Sequence, residues 1–276
     1  MIITVVGLGV IGGSYVQALK GLGHQVYGVD CDEETLSLAK KDGCIIEGFT
    51  DGHDIISKSD LTIICLYPSL VLDFITHHTF KKGSIVTDVV GIKSYFLEKA
   101  LACIDSDVEY VSGHPMAGRE KKGYAYASKE VFKNANYIVI EHAKNKKESI
   151  EFMCQFVSQL GFKSVKIMSP YDHDEIISFT SQLPHTIAVA LINSDDQKYD
   201  TGKYIGDSFR DLTRIANINA QLWSELFLNN RDYLLASMMR FEEQFDQLKQ
   251  ALLNNDDETL KEMFLESSKR RENLEK

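Results

Sequence analysis

The first 168 positions alternate short apolar runs with stretches of helical spacing. IITVV (2–6), QVYGVD (25–30), LTIICL (61–66), SIVTDV (84–89), VEYVSG (108–113) and YIVIE (137–141) are nearly unbroken in hydrophobicity. Strands covered on both faces have that pattern. Between them, 11–21, 33–41, 68–78 and 93–103 carry helical spacing. This alternation predicts an α/β fold: a parallel, doubly wound sheet with right-handed crossovers. SVKIM (164–168) is expected as a last, edge strand.

After residue 168 the pattern changes. Ser169 suits an N-cap, Pro170 suits the first helical position, and acids follow in the first turn. Helical patterns then run to the C-terminus with no convincing strand. Two domains are expected, 1–168 and an all-helical 169–276. Pro184 interrupts one helical pattern, and a kink is expected there. Leu234, Met238, Phe241, Phe245, Leu248 and Leu252 recur at spacings of 4, 3, 4, 3 and 4, a heptad seam. Such a seam suits a helix buried in its own domain or a subunit interface.

Composition narrows the partners. The 276 residues are 44% hydrophobic and 25% charged, which is ordinary for a globular chain of two-domain length. No run of 18 apolar residues occurs, so no membrane span is expected. The start, MIITVVGLG, has no basic flank or cleavage pattern, so no signal peptide is expected. Five scattered cysteines argue against a disulfide framework or a zinc site and fit a reducing cytoplasm. A net charge of −10 disfavours nucleic acid but leaves a small anionic substrate open, held by a few local arginines.

In VVGLGVIGGS, Gly7, Gly9 and Gly12 stand in G-x-G-x-x-G order after a strand and at the head of a helix. That context makes the pattern a dinucleotide signature. Gly7 permits the turn, Gly9 lets the backbone approach a pyrophosphate, and Gly12 lets helix and sheet pack closely. The helix N-terminus then faces the phosphates. Ile11 lies inside the same loop, and Tyr67 follows the LTIICL strand; both are candidates to touch the cofactor. Asp30 ends the second strand, 18 residues after Gly12. A carboxylate there accepts from the ribose 2′- and 3′-hydroxyls and repels a 2′-phosphate, so NAD is expected over NADP. No metal is expected.

A dehydrogenase that oxidises an alcohol needs a base for the hydroxyl proton, and histidine suits that task at neutral pH. Two of the four prolines abut histidines, in YVSGHPMAGRE (His114) and SQLPH (His185). His24, His53, His77, His78, His142 and His173 read as loop or helix-surface groups. In GDSFRDLTRIAN, Arg210 and Arg214 share a helical face, with Asp211 placed to orient Arg214. A guanidinium pair there matches either surface ion pairs or a carboxylate receptor.

GLGVIGG, TDVVGIK, GHPMAGRE, SQLPH and FRDLTRIA, in this order, resemble the prephenate dehydrogenase family, which includes arogenate dehydrogenases. The resemblance spans nearly the whole chain. It implies a Rossmann-type domain followed by an all-helical dimerisation domain, NAD as cofactor, and a homodimer formed through the C-terminal helices. It implies oxidative decarboxylation of prephenate to 4-hydroxyphenylpyruvate. By the same resemblance His114 is the base that meets the ring hydroxyl, His185 lines the substrate pocket, and Arg214 binds the side-chain carboxylate. Arg119, Arg210 and Lys93 are candidates for the second carboxylate.

Two positions depart from the family. Gly91 stands where many members carry a serine that meets the catalytic histidine; Ser112 or a water is expected to fill that contact. GDSFRD replaces a glycine run, and its Asp207 keeps arogenate open as the substrate. Two further rivals are weaker on the sequence. A β-hydroxyacid or imine-reductase enzyme would need a catalytic lysine early after the boundary, where only Lys198 stands at the far end. A catalytically dead NAD-binding sensor has Gly91 as its only support.

Overall fold

A computed structural model describes residues 1–118 and 121–274. Arg119 therefore lies outside the described residues. The chain opens with β1 (Ile2–Val6), α1 (Val10–Leu19), β2 (Gln25–Val29), α2 (Glu33–Lys41), β3 (Glu47–Phe49), α3 (His53–Ile56), β4 (Leu61–Ile64), α4 (Pro68–His77), β5 (Ile85–Asp88), α5 (Ser94–Cys103) and β6 (Glu109–Tyr110). The six strands form one parallel sheet in the order β3-β2-β1-β4-β5-β6. That is the Rossmann order, with the strand-order reversal between β1 and β4. Alternate residues of β1 feed two cores: Ile3 and Val5 join Tyr15, Val16 and Leu61, while Val6 joins Ile64, Val86 and Phe96. Both faces are thus covered, which is why these strands read as unbroken apolar runs.

The chain then leaves this sheet. β7 (Gly113–Pro115), β8 (Asn136–Ile140), α6 (Lys147–Gln159) and β9 (Ser164–Met168) follow. Their strands form a second sheet, with β7 antiparallel to β8 and β8 parallel to β9. The runs at 137–141 and 164–168 therefore do not extend the parallel sheet. The exchange of partners falls between two residues: Val111 N donates to Val86 O, while Ser112 O already accepts from Ile140 N. Gly113 permits it, since a side chain there would collide with the Tyr137 hydroxyl. His114 consequently sits within a short strand, opposite Ile138, and not in a turn.

Every described element after Met168 is helical. α7 (Pro170–Ile177) starts as the sequence predicts: Ser169 Oγ accepts from Asp172 N at 3.1 Å and Pro170 occupies the first turn. A π-helical turn, Ser178–Gln182, joins it to α8 (Leu183–Asn193). Pro184 lacks an N–H, and the widened turn absorbs the lost bond. α9 (Asp207–Thr213), a 3-10 turn (Arg214–Ala216) and α10 (Ala220–Asn229) come next.

The chain packs as two compact units, one up to Asn230 and one from Arg231. The second holds α11 (Arg231–Leu253) and α12 (Asp257–Asn273), which pack on each other. Asp256 caps α12, its Oδ1 accepting from Thr259 N at 3.0 Å. Along the α11 seam Leu234 is buried, but Phe241, Phe245 and Leu252 are 37%, 58% and 64% exposed. The seam is thus largely uncovered in a single chain. Among the described residues no helix is long and apolar enough to cross a membrane.

Candidate active site

A cavity of about 720 Å³ opens within the first unit at the C-terminal ends of β1, β4 and β5. Gly9, Val10 and Ile11 form one wall, Leu66 and Tyr67 a second, and His114 to Gly118 a third. α8 and α10 contribute Pro184, His185, Leu222 and Trp223. Open α/β sheets bind ligands at this edge, beside the reversal of strand order.

The glycine loop fits a dinucleotide. Gly7 has φ +81°, a conformation that disfavours any side chain. A Cβ on Gly12 would collide with the Gly7 carbonyl, so the helix can lie this close only with glycine there. At Gly9, by contrast, a Cβ would meet nothing within 4 Å, and this bare backbone faces the cavity at the N-terminus of α1. No acid occupies the first turn of α1, so its dipole and free N–H groups stand ready for phosphate. Asp30 Oδ2 accepts from Leu8 N at 2.6 Å and Oδ1 from Asp32 N at 3.0 Å. The carboxylate thus braces the loop while its remaining lone pairs suit ribose hydroxyls. Tyr67 lines the cavity, and its hydroxyl accepts from Asn219 Nδ2 at 2.7 Å.

His114 faces the cavity with a defined tautomer. Its Nδ1 lies 2.9 Å from His173 Nε2, and His173 Nδ1 lies 2.8 Å from Asp174 Oδ1. Asp174 also accepts from Lys93 N (2.8 Å), Ser94 N (2.7 Å) and Ser94 Oγ (2.6 Å). Burial alone would push this carboxyl up, yet the hydrogen bonds from His173 and Ser94 hold it below the usual carboxylate range. An ionised Asp174 can only accept, so His173 carries its proton on Nδ1 and accepts on Nε2. His114 must then carry its proton on Nδ1, which leaves a lone pair on Nε2. Burial, then His173 and Lys93, hold His114 well below the ordinary imidazole range. The ring is therefore neutral at pH 7, as a base must be. A Cβ built on Gly91 would lie 3.6 Å from His114 Nε2, so the absent serine leaves open space at that atom.

Other expectations land elsewhere. Ser112 does not reach His114: its Oγ is buried and accepts from Lys93 Nζ at 2.8 Å. Lys93 is fully buried, with Nζ 2.8 Å from Asp88 Oδ1 and 2.7 Å from Gly113 O, so it supports the His114 strand from behind. Arg210 is exposed and donates to Asp207 at 3.3 Å. Arg214 is exposed one residue from the cavity wall at Ile215; it caps the C-terminus of α9 in helical conformation, its N–H donating to Arg210 O, so the two arginines lie one helical turn apart. His185 does line the cavity. Its Nδ1 donates to Ser181 O at 2.8 Å, a carbonyl of the π-turn, and its ring lies 3.7 Å from that of Trp223, centroid to centroid.

The cavity wall also holds Lys121 and Lys122, and no carboxylate lines it among the described residues. In the sequence a KK pair in a loop has the pattern of solvated charge. Trp223 stands in no motif, and His173, expected at a helix surface, is fully buried.

Residues 15–166 match the prephenate dehydrogenase nucleotide-binding domain, and residues 169–266 match the prephenate dehydrogenase dimerization domain. The chain belongs to the prephenate dehydrogenase family. A prephenate dehydrogenase of Bacillus subtilis is 29% identical over 282 residues, covering 99% of this chain and 76% of the relative. The crystal structure of the Aquifex aeolicus prephenate dehydrogenase with hydroxyphenyl propionate and NAD+ has a TM-score of 0.90. It is 26% identical, with 99% of this chain and 98% of that one covered. Synechocystis arogenate dehydrogenase has a TM-score of 0.84 at 26% identity, covering 99% of this chain and all of that one. The family thus embraces both substrates, and the side chains around the cavity must decide between them.

Proposed function

We propose that this chain is an NAD-dependent prephenate dehydrogenase of the cytoplasm, with 1–168 as the NAD-binding domain and 169–276 as the helical substrate and dimerisation domain. One observation carries the choice of substrate: the cavity beside His114 holds two lysines and no described carboxylate. Prephenate brings two carboxylates and no cation. Arogenate brings an ammonium group that would need an acid. Asp207, the acid that kept arogenate open, is spent on Arg210 at the surface.

When bound, NAD supplies the acceptor for the hydride that leaves the ring carbon. Gly7, Gly9, Ile11 and Gly12 hold its pyrophosphate region, Asp30 its ribose, and Tyr67 borders it. His114 Nε2 takes the proton of the ring hydroxyl. Departure of the ring carboxylate as carbon dioxide then makes the ring aromatic and the reaction one-way. His185 and Trp223 form the apolar wall that keeps water from the ring. Arg214 supplies charge for the side-chain carboxylate, with Lys121, Lys122 and Arg119 as the further cations.

Initial rates with prephenate and with arogenate, each with NAD and with NADP, test this reading. Prephenate with NAD is expected to give the highest kcat/KM. A preference for arogenate would overturn the substrate assignment, and a preference for NADP would overturn the role of Asp30.

The chain is proposed to act as a homodimer through its C-terminal helices. The description of the matched domain and the uncovered seam of α11 support this. Light scattering is expected to return twice the 31.2 kDa chain mass. Phe245→Asp should reduce it to one, because burying a carboxylate in an apolar interface is unfavourable. A wild-type monomer at micromolar concentration would refute the dimer.

A further inference from the structure

We propose that His173 and Asp174 form a proton relay behind His114, so that the base at the cavity hands its own Nδ1 proton inward as it accepts one from the substrate. The inference rests on the dehydrogenase reading above. Its basis is the continuity of the chain of groups: His114 Nδ1 to His173 Nε2 at 2.9 Å, then His173 Nδ1 to Asp174 Oδ1 at 2.8 Å. His173 and Asp174 are 0% and 1% exposed. Water cannot supply or remove their protons directly, so His114 is their exchange partner.

The surrounding charges set the direction. Lys93 Nζ is bonded to the carbonyl of Gly113, the residue before His114, and so opposes a cation on His114. Asp174 lies against His173 and favours a cation there. Asp88, the partner of Lys93, also favours a cation on His173. Burial and Lys93 also disfavour a charged His173, but the Asp174 bond works in its favour, whereas among the described residues no carboxylate is bonded to His114.

The ring O–H breaks and its proton bonds to His114 Nε2, while the O–H electron pair forms the carbonyl as hydride leaves to NAD. The Nδ1–H bond of His114 breaks, and that proton bonds to His173 Nε2. His114 ends neutral, with its proton on Nε2, and His173 ends as an imidazolium against an Asp174 that stays ionised. As carbon dioxide leaves, the electron pair of its C–C bond makes the ring aromatic and returns the carbonyl to a phenolate, which takes the proton back from His114 Nε2, and His173 returns its proton to His114 Nδ1. No net proton is released per turnover.

The alternative is that His173 only positions His114, and His173→Gln separates the two. A glutamine oxygen can accept the Nδ1–H bond and preserve the orientation, but it cannot carry the proton. His173→Phe removes both functions. A relay predicts that His173→Gln loses at least about tenfold in kcat with NAD affinity unchanged. The decisive reading is the dependence of kcat/KM on deuterium fraction in water mixtures, with a substrate slow enough that chemistry limits. Wild type is expected to give a bowed curve, from two protons in flight, and His173→Gln a straight line. A straight line for wild type refutes the relay even if neither variant folds, as does wild-type kcat in His173→Gln. A wild-type protein that turns over neither prephenate nor arogenate refutes the dehydrogenase reading itself, a separate result.

Discussion

His114→Asn is expected to lower kcat by at least about 100-fold, the low end of what a general base contributes. Asparagine keeps a polar group of similar size near the Nδ1 position and a bond toward His173, but it offers nothing at Nε2. NAD affinity should be unchanged, because the loop from Gly7 to Gly12 and the Asp30 carboxylate do not touch His114. The pH dependence carries the sharper test. A base works when unprotonated, so kcat/KM of the wild type falls only as pH drops through the pKa of the free enzyme. Burial, His173 and Lys93 all hold that pKa well below the usual 6.5. The profile should therefore stay flat as pH drops through 6.5 and bend only on the acid side of it. In His114→Asn that bend should be absent, with the residual rate independent of pH across the same range. A surviving bend with near-normal turnover would assign the base to another group.

How much of this was legible in the sequence depends on the range of the contact. The glycine loop was legible because its signal is local: three glycines, a strand before and a helix after lie within 20 residues. Asp30 and the start at Ser169 were legible for the same reason. His114 stood out by its proline, although its place in a second sheet did not. An apolar run looks the same whichever sheet it joins, and the partner exchange at Val111 and Ser112 depends on strands far along the chain. β3 was missed because EGF is too short and too polar to give a strand pattern. The His114–His173 contact spans 59 positions, and no periodicity connects residues so far apart. Lys93 was read as a substrate cation because a lysine at a helix start has the same neighbours in sequence whether it points outward or inward. Ser112 was placed beside His114 by strand alternation, but the change of sheet between the two turned its hydroxyl toward Lys93.

That inward lysine carries the largest expected effect on stability. Lys93 Nζ and Asp88 are both fully buried, 2.8 Å apart, and Asp88 also accepts from the Tyr110 hydroxyl and Val90 N, each at 2.8 Å. Lys93→Met fills most of the volume but leaves a buried carboxylate without its cation. Removing one partner of a buried pair costs about 3–5 kcal/mol. At roughly 2–4 °C per kcal/mol for a chain near this size, Tm should fall by roughly 6–20 °C. The double variant Lys93→Met, Asp88→Leu should recover more than half of that loss, since an apolar replacement of both partners is often near neutral. Calorimetry on the three proteins decides it; a fall below about 2 °C in the single variant would mean that the pair is not buried as described. The same variant reports on the active site. Lys93 opposes protonation of His114. Without that charge the pKa of His114 rises, and the acid limb of kcat/KM should move to higher pH while NAD affinity holds. Loss of stability with an unmoved limb would confine Lys93 to the core; the two shifts together would show that one buried ammonium both anchors the strand of His114 and keeps its ring neutral.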